Sequence, residues 1–387
     1  MTKIYGLAGY RPAKDYVKAV TCPPYDVIKP DTLLDSLLKA NADSLYHVIL
    51  GDEPVAALGR LIDSGALVAD GQSAFYVYEQ NYDGIRRTGL LCATEVTPYE
   101  DKEVIRHEKT FDAKVAGRIK LMEDTGYITE PIWLLTRAPI GPLLDKARET
   151  LKPEYEFTSD FNTYSELCGI HNRIFKVPSD SELGEAIADA IAQLPMYIAD
   201  GHHRYHSALR MGLDRCIAYV CDTEQAKIQA YNRVIHTERA LEGVWKDLGA
   251  KPSAGFATPA RHSFSIYTRE GCWEYSAKPE SEDDVIGRLD CRILEETLYL
   301  SLGLSHDMVM DDRYFDYYPE KDIETMKAVV DRGTYDLAVA LHPVSPEELM
   351  AVADAGIIDP RIVMPEKSTF FSPKILSGLI LIPLSRR

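Results

Sequence analysis

Apolar and polar residues follow two periods along the chain, and the two periods alternate. Apolar residues at helical spacing predict helices within residues 33–38, 142–151, 181–194, 202–211, 289–302, 322–330 and 346–355. Short apolar or alternating runs predict strands at residues 44–50, 74–79, 89–96, 131–136, 196–199, 216–221, 335–341 and 379–384, with a hairpin over 261–276. Strands that alternate with helices in this way predict an α/β or mixed α+β fold.

One stretch interrupts this alternation. Residues 249–259 are rich in Pro, Gly and Ser, a composition typical of a linker or an insertion. We therefore expect an N-terminal region over residues 1–248 and a C-terminal α/β region over residues 260–387 that completes the site.

Charge and cysteine content narrow the class of protein. The 387 residues include 43 Lys and Arg against 60 Asp and Glu, a formal net charge of −17, which argues against a nucleic-acid or polybasic membrane partner. Seven cysteines, an odd number without Cys-x-x-Cys spacing, fit a reducing compartment better than a disulfide framework. The apolar stretch 375–384 is too short to span a bilayer. We expect a soluble, cytoplasmic protein whose oligomeric state the sequence leaves open.

The segment 197–211 carries the strongest chemical signal. An apolar strand leads through Asp200 and Gly201 into a helix, with Asp200 expected as its N-cap or near-cap. The first turn then holds His202, His203 and Arg204, where a helix normally favours acidic residues. Glycine lets a ligand approach the backbone, so this pattern predicts a phosphate at the helix N-terminus.

Two other interpretations of this turn stay open. His202 and His206 have the i, i+4 spacing of two ligands on one metal ion. Alternatively, the turn is an ordinary helix start whose histidines face solvent.

Two further segments look functional. Residues 106–118 mix bases and acids, which suggests either a solvated face or a mobile loop whose Glu108 or Asp112 serves as a base or Mg²⁺ ligand. The turn after Pro23 and Pro24 either is a structural bend or holds Tyr25 and Asp26 at a pocket wall.

Later in the chain, basic residues mark a second candidate anion site. In residues 364–374, Lys367 and Ser368 can donate hydrogen bonds to a phosphate. An ordinary loop before the last strand would show the same sequence pattern. Arg233 and His236 lie near a predicted strand, where each suits a phosphate contact or a structural ion pair.

The ordered motifs Pro-Pro-Tyr-Asp-Val-Ile, His-Glu-Lys-Thr, Ala-Asp-Gly-His-His-Arg-Tyr, Asn-Arg-Val-Ile and Met-Pro-x-Lys-Ser-Thr-x-Phe-x-Pro-Lys occur in one chain. Together they resemble the domain-of-unknown-function family 1015 from about Arg11 to Leu384. The turn at residues 201–204 is also similar to the Gly-x-Arg-Arg box of ParB-type nucleotide-binding domains and to the matching turn of sulfiredoxins. The resemblance implies a ParB/sulfiredoxin-like core with family-specific N- and C-terminal additions.

Relatives with this turn include kinases that phosphorylate free L-serine. The resemblance therefore implies an ATP- and Mg²⁺-dependent kinase that phosphorylates a small hydroxyl compound, with free L-serine as the leading acceptor. We expect Arg204→Ala to remove activity with little loss of fold. The assigned residues are Glu108, Asp200 and His202 for catalysis; Gly201, His202, His203, Arg204, Arg233, Lys367 and Ser368 for the nucleotide and its phosphates; Tyr25, Asp26 and His107 for the substrate; and Asp200 and Asp112 for Mg²⁺.

Two alternative functions remain at this stage. One is a metal-dependent phosphohydrolase that uses His202 and His206, and the other is a nucleotide-binding regulatory protein without turnover. The segments that carry the motifs at residues 102–120, 200–215 and 362–387 together contain seven more bases than acids, against an acidic remainder. A small phosphate pocket in an acidic body would have this charge distribution.

Overall fold

The computed structural model describes residues 2–161, 167–365 and 367–386. Within it the chain forms two compact units, one over Met1–Ala226 together with Pro373–Arg387 and the other over Lys227–Ser372. The division therefore falls after residue 226, and the expected linker at residues 249–259 lies inside the second unit. Composition misplaced the boundary because residues 249–259 are tied into that unit's own sheet, through the pairing of residues 251–253 with residues 272–274.

The first unit begins with short strands and small helices and continues into a large sheet. Its strands are β1 (Ile4–Tyr5), β2 (Tyr10–Pro12), β3 (Leu67–Ala69), β4 (Ala74–Tyr82), β5 (Ile85–Glu95), β6 (Val104–Ile105), β7 (Tyr127–Ile128), β8 (Ile132–Thr136), β9 (Tyr155–Ser159), β10 (Ile170–Pro178), β11 (Met196–Asp200) and β12 (Arg215–Asp222). Its helices are α1 (Val17–Val20), α2 (Leu33–Ala40), α3 (Tyr46–Ile49), α4 (Pro54–Asp63), α5 (Asp112–Thr125), α6 (Gly141–Thr150), α7 (Glu182–Ile191) and α8 (His202–Arg210).

Nine of the described strands form one mixed sheet in the order β6-β11-β8-β12-β5-β4-β10-β9, with β1 paired to β5. The strand β11 lies between β6, to which it is parallel, and β8, to which it is antiparallel. Since parallel strands end at the same edge of a sheet, the residues after β6 and after β11 lie side by side. The pairing of β11 with β8 also shifts register between Ile198 and Asp200, an irregularity directly before the predicted turn.

The second unit is built on a six-stranded sheet of described residues, in the order β15-β17-β16-β19-β14-β18. Its strands are β13 (Ile228–Gln229), β14 (Tyr231–Ile235), β15 (Lys251–Ser253), β16 (Ser263–Thr268), β17 (Gly271–Ser276), β18 (Phe315–Pro319), β19 (Leu337–Leu341) and β20 (Phe370–Phe371). Its helices are α9 (Leu241–Leu248), α10 (Asp290–Leu294), α11 (Leu300–Leu302), α12 (His306–Val309), α13 (Ile323–Asp331) and α14 (Pro346–Ile358), and a π-helical segment, Glu295–Tyr299, joins α10 to α11. The chain then returns to the first unit, where β21 (Ile382–Pro383) pairs with β7.

The predicted α/β class is confirmed, and three local predictions are wrong. Residues 44–50 contain the helix α3, because a short apolar run buries equally well in either conformation. Residues 112–118 belong to the helix α5, so the expected loop shortens to residues 106–111. The final predicted strand is reduced to the two residues of β21.

Hydrophobic cores stabilise these helices and strands. In the first unit the α2, α3 and α4 helices pack their apolar faces into one cluster, while Trp133, Tyr205 and Tyr219 are fully buried against the sheet. Burial of rings of this size is the main stabilising contribution in such a core. In the described part of the chain, no helix has the length and apolar character needed to cross a membrane.

Candidate functional site

The predicted strand, turn and helix are present, and the turn depends on Gly201. This residue has φ +94 and is the N-cap of α8, and no side chain caps the helix start. A Cβ at this position would come within 3.0 Å of Arg204 Nε and 3.1 Å of Ile132 Cγ2. The first N–H groups of α8 therefore keep their capacity to bind an anion.

Asp200 lies directly before the N-cap of α8, and its side chain bonds to cations rather than to the N–H groups of the helix start. Its Oδ2 accepts from Lys374 Nζ at 2.7 Å and its Oδ1 accepts from Arg204 Nη2 at 3.1 Å. Burial alone would raise the pKa of Asp200, but the Lys374 ammonium and the Arg204 guanidinium hold it well below its usual range. The carboxylate is thus a buried counter-ion with both oxygens engaged.

Arg204 is engaged by several acceptors of the first unit. Besides Asp200, its guanidinium donates to the main-chain oxygen of Pro131 and lies 3.9 Å from Asp26 Oδ2. Burial alone would lower the pKa of Arg204, but the carboxylates of Asp200, Asp26 and Glu130 raise it above its ordinary value. Arg204 is permanently charged and is already neutralised by its neighbours.

The two histidines of the first turn act as hydrogen-bond acceptors. The main-chain N–H of His107 points to His202 Nε2 at 3.5 Å, and that of Phe111 donates to His203 Nε2 at 3.1 Å. Burial lowers the pKa of His202 well below its ordinary value, and the neighbouring His107 lowers it further. Since His202 is only 4% exposed, the interpretation with two solvent-facing histidines is wrong.

Glu108 is the carboxylate next to this helix start. Its Oε2 lies 3.5 Å from His202 Nδ1 and its Oε1 lies 3.9 Å from His107 Nε2. With Nε2 of His202 facing an N–H donor, the proton of the neutral ring sits on Nδ1, toward Glu108. The Glu108 side chain is 28% exposed and so can be reached from solvent.

His107 is completely buried beside His202. The two rings meet edge to face, with centroids 4.5 Å apart. Burial lowers the pKa of His107 to about 4, which keeps the ring neutral near neutral pH. His107 therefore forms the wall behind Glu108, while its predicted contact with substrate stays a prediction.

Two sequence candidates lie apart from this cluster. Asp112 is the first residue of α5, and its exposed carboxylate accepts from Arg210 Nη1 at 2.7 Å. The His206 ring stacks on Tyr99, with centroids 6.0 Å apart. Within the described ranges, the side chains with metal-ligand spacing are His107, Glu108 and His202, whose ligand atoms all lie within 4.8 Å of one another.

Tyr25 and Asp26 form a 3-10 turn that joins the network through buried charges. The Arg118 guanidinium lies 4.1 Å from the centre of the Tyr25 ring and donates to Glu130 Oε2 at 3.2 Å. The other oxygen of Glu130 accepts from the main-chain N–H of Tyr25 and from Ser377 Oγ, both at 3.2 Å. Burial raises the pKa of Tyr25, and the Asp26 carboxylate raises it further.

A small cleft of about 20 Å³ adjoins these charges, lined by Arg118, Glu130, Ile132 and Arg204 among others. Sequence reasoning missed Glu130 and Lys374 as members of the network. Lys374 closes a motif that the sequence displays, so the motif itself was the available signal. Glu130 is a single acid before an apolar strand, a pattern without any specific signal.

The remaining predicted residues, Arg233, Lys367 and Ser368, lie in the second unit. Arg233 and Ser368 both lie close to Cys291. Burial raises the pKa of the Cys291 thiol to about 11, and Ser368 and Arg233 offset part of that rise. The prediction that these three residues and the turn at residues 201–204 bind the phosphates of one nucleotide stays a prediction.

Comparison with known proteins identifies the family of this chain. The family model described as "Protein of unknown function (DUF1015)" matches residues 4–292. The chain belongs to the DUF1015 family. The match includes the first four motifs noted in the sequence and ends before the fifth. No curated protein matches the chain.

Three solved structures are similar to this DUF1015 protein. A conserved hypothetical protein from Pyrococcus furiosus is 14% identical, with a TM-score of 0.39, over 77% of this chain and 95% of its own. A free serine kinase in complex with AMP is 13% identical, with a TM-score of 0.39, over 77% of this chain and 91% of its own. SbnI with a C-terminal truncation, from Staphylococcus aureus, is 13% identical, with a TM-score of 0.42, over 76% of this chain and 87% of its own.

Proposed function

We propose that this DUF1015 protein is an ATP-dependent phosphotransferase whose acceptor is the hydroxyl group of a small molecule. The observation that carries the proposal is the position of Glu108 at the uncapped N-terminus of α8. There, a solvent-accessible carboxylate lies 3.5 Å from His202 Nδ1, directly beside N–H groups suited to phosphate.

The chemistry needs few groups from the protein. In phosphoryl transfer, catalysis is mostly positioning and charge stabilisation. Glu108 would take the proton of the acceptor hydroxyl as its oxygen forms a bond to the γ-phosphorus. The bond from the γ-phosphorus to the bridging oxygen breaks, and ADP leaves with its electron pair.

The first turn of α8 would hold the phosphates through its backbone. Gly201 permits close approach, and the N–H groups of residues 202–204 are the donors. His202 and His203 act in this proposal as neutral acceptors that fix the loop 106–111 over the turn. Asp200 and Arg204 are positioning residues, because their charges are already paired with each other.

The donor set at the turn does not fit a dedicated Mg²⁺ cage. Both oxygens of Asp200 are bound to cations, and Asp112 pairs with Arg210 at the surface. Mg²⁺ commonly binds through one or two carboxylates and the substrate's phosphates. The ion would therefore come with ATP, and no ligand role for Asp200 or Asp112 is needed.

Free L-serine is the acceptor that the sequence resemblance implies, and Tyr25 and Asp26 are the residues proposed to contact it. The Asp26 carboxylate is one-third exposed, so the ammonium group of an amino acid can reach it, although Arg204 at 3.9 Å offsets part of its charge. The test is incubation with ATP and Mg²⁺ across hydroxyl amino acids and sugars, with phosphorylated acceptors read by mass spectrometry. A phosphorylated sugar without phosphoserine would retain the kinase and reject the acceptor.

A metal-dependent phosphohydrolase is the second candidate, and the spacing of His107, Glu108 and His202 favours it. Two imidazoles and one carboxylate suit Zn²⁺ or Mn²⁺ better than Mg²⁺. Metal analysis of protein purified without a nickel column separates the two candidates. Stoichiometric zinc or manganese, lost in His107→Ala and kept in His206→Ala, would favour the hydrolase. Nucleotide binding without product from any acceptor would instead indicate a regulatory protein.

A further inference from the structure

Arg233 occupies an unusual environment in the second unit. It lies on β14, opposite Tyr317 of β18 and Val339 of β19, and is only 2% exposed. Buried charges in proteins are normally paired with an opposite charge, because an isolated buried ion costs several kcal/mol. Among the residues that the structure describes, Arg233 has no carboxylate within ion-pair distance.

The contacts of Arg233 are neutral. Its Nε donates to Tyr299 Oη at 2.9 Å, its Nη1 donates to the main-chain oxygen of Tyr231, and its guanidinium carbon lies 5.6 Å from the centre of the Tyr317 ring. No described residue accepts a hydrogen bond from Nη2. Tyr299 belongs to the π-helical segment, a conformation that is frequent at functional sites.

Two acids on nearby elements are committed elsewhere. Glu295 accepts from Arg292 Nη1 at 3.0 Å. Glu320 accepts from Thr258 Oγ1 at 2.9 Å and from the main-chain N–H of Ala230 at 3.4 Å. Neither carboxylate neutralises the Arg233 guanidinium in the described structure.

A second cation, Lys367, lies near the same group of aromatic rings. Lys367 Nζ lies 5.6 Å from the centre of the Tyr231 ring, and Tyr231 packs on Tyr317 with centroids 5.4 Å apart. Lys367 has φ +54, a backbone conformation that is uncommon for a residue other than glycine and often occurs at ligand sites. The hydroxyl of Ser368, the next residue, lies close to Cys291 and so to Arg233.

We propose that Arg233 and Lys367 form a binding site for a phosphate dianion within the second unit. Two cations match the charge of a phosphate or phosphate monoester, and the free Nη2 edge of Arg233 supplies charge-assisted hydrogen bonds. The bound anion supplies the counter-charge that no described residue gives to the buried guanidinium. This site does not depend on the proposed kinase reaction, which is located at the turn of the first unit.

Calorimetric titration of the full chain tests the proposal, with inorganic phosphate, O-phosphoserine and acetate as probes at constant ionic strength. We expect saturable phosphate binding in the wild type that weakens at least about tenfold in Arg233→Met and in Lys367→Met, the loss of one charge-assisted hydrogen bond. Arg313→Met is the matched control, because its side chain is 78% exposed in the same unit. It should leave binding unchanged.

The outcomes separate the possible sources of the anion. Phosphoserine tighter than phosphate would indicate a monoester, and equal affinity would indicate inorganic phosphate. Acetate as tight as phosphate would overturn the dianion site. Phosphate binding that persists in both variants would place the anion elsewhere and overturn it as well.

A stability measurement distinguishes this role from a structural one. If the role of Arg233 is to bind an anion, Arg233→Met without phosphate should unfold at a denaturant concentration equal to or higher than that of the wild type. A large loss of stability in Arg233→Met, together with no saturable phosphate binding in the wild type, would make Arg233 a structural residue. If Glu108→Gln loses kinase activity but still binds phosphate, the phosphate site at Arg233 and Lys367 is supported independently of the kinase reaction.

Discussion

Arg204 shows how one side chain can serve the fold and the site at once. Its guanidinium is 10% exposed and is surrounded by the carboxylates of Asp200 and Asp26 and the oxygen of Pro131. From the sequence it looked like a phosphate ligand that could be removed without harm to the fold. The structure changes that expectation, because its loss would leave Asp200 with one of its two cations.

We therefore predict that Arg204→Ala lowers the free energy of unfolding by about 3–5 kcal/mol, the usual cost of breaking a buried ion pair. Arg210→Ala is the matched control on the same helix, since its partner Asp112 is exposed. It should cost about 1 kcal/mol or less. Urea denaturation measures both, and equal losses would show that the Arg204 network is not buried as described.

His107 gives a prediction about pH. Its pKa is about 4 in the folded protein against an ordinary value of 6.5, because burial disfavours the charged ring. Below pH 6.5 the unfolded chain takes up a proton that the folded chain does not, so stability falls as the pH falls. The loss should reach about 3 kcal/mol near pH 4, with His202 acting in the same direction.

The free energy of unfolding measured from pH 7 to pH 4 checks this. His107→Gln should flatten the slope between pH 6.5 and 4, whereas His306→Gln, in an exposed position, should leave it unchanged. The same slope in all three proteins would contradict the burial of a neutral His107.

For single residues, the sequence shows which residues form the turn, but it does not show which side chains they bind. The order of Asp200, Gly201 and His202 identifies the turn, since the pattern is local. That Asp200 binds Lys374 rather than the helix start depends on residues 174 positions apart. The role of Glu130 is likewise set by partners distant in sequence, and no local pattern encodes it.

At the scale of elements, the turn between β11 and α8 carries the site. Periodicity predicts both elements, because their apolar positions follow the strand and helix repeats. The loop 106–111 was not predictable in its final place. Its position follows from the parallel pairing of β6 with β11, which is a tertiary contact.

Gly201 provides the test at this scale. We predict that Gly201→Ala destabilises the protein more than Gly212→Ala, which lies just after the same helix. Both glycines have positive φ, +94 and +65, but a Cβ at Gly201 meets Arg204 and Ile132 while nothing lies within 4 Å at Gly212. Alanine at Gly212 should cost about 1–2 kcal/mol from backbone strain alone.

Gly201→Ala should cost more than Gly212→Ala by denaturant unfolding, and ATP should no longer raise its melting temperature. If the two variants unfold alike and both still respond to ATP, the turn is not the close-approach site described here.

At the scale of the whole molecule, the chain folds as two units and returns to the first one at its end. The sequence could not show this return, because residues 373–386 contact strands more than 200 positions earlier. It places Lys374 against Asp200, while Lys367 and Ser368 stay in the second unit. The last motif is thus divided between the two units.

The positions of the basic residues in the two units bear on the net charge of −17. Some bases of the motif segments pair with buried acids, whereas others, such as Lys120 and Arg210, are exposed. Arg118, Arg204 and Lys374 neutralise acids in the first unit. In the second unit, Arg233 lacks such a partner among the described residues.

The most direct test of the central claim compares acceptor-dependent ADP formation by the wild type, Glu108→Gln and Glu100→Gln with ATP, Mg²⁺ and L-serine. We predict ADP and phosphoserine in equal amounts from the wild type and from Glu100→Gln, an exposed control. Glu108→Gln should be slower by about 100-fold to 10,000-fold with ATP still bound, as expected for loss of a general base. An unchanged rate in Glu108→Gln, or no acceptor-dependent ADP from the wild type with any hydroxyl compound, would contradict the account.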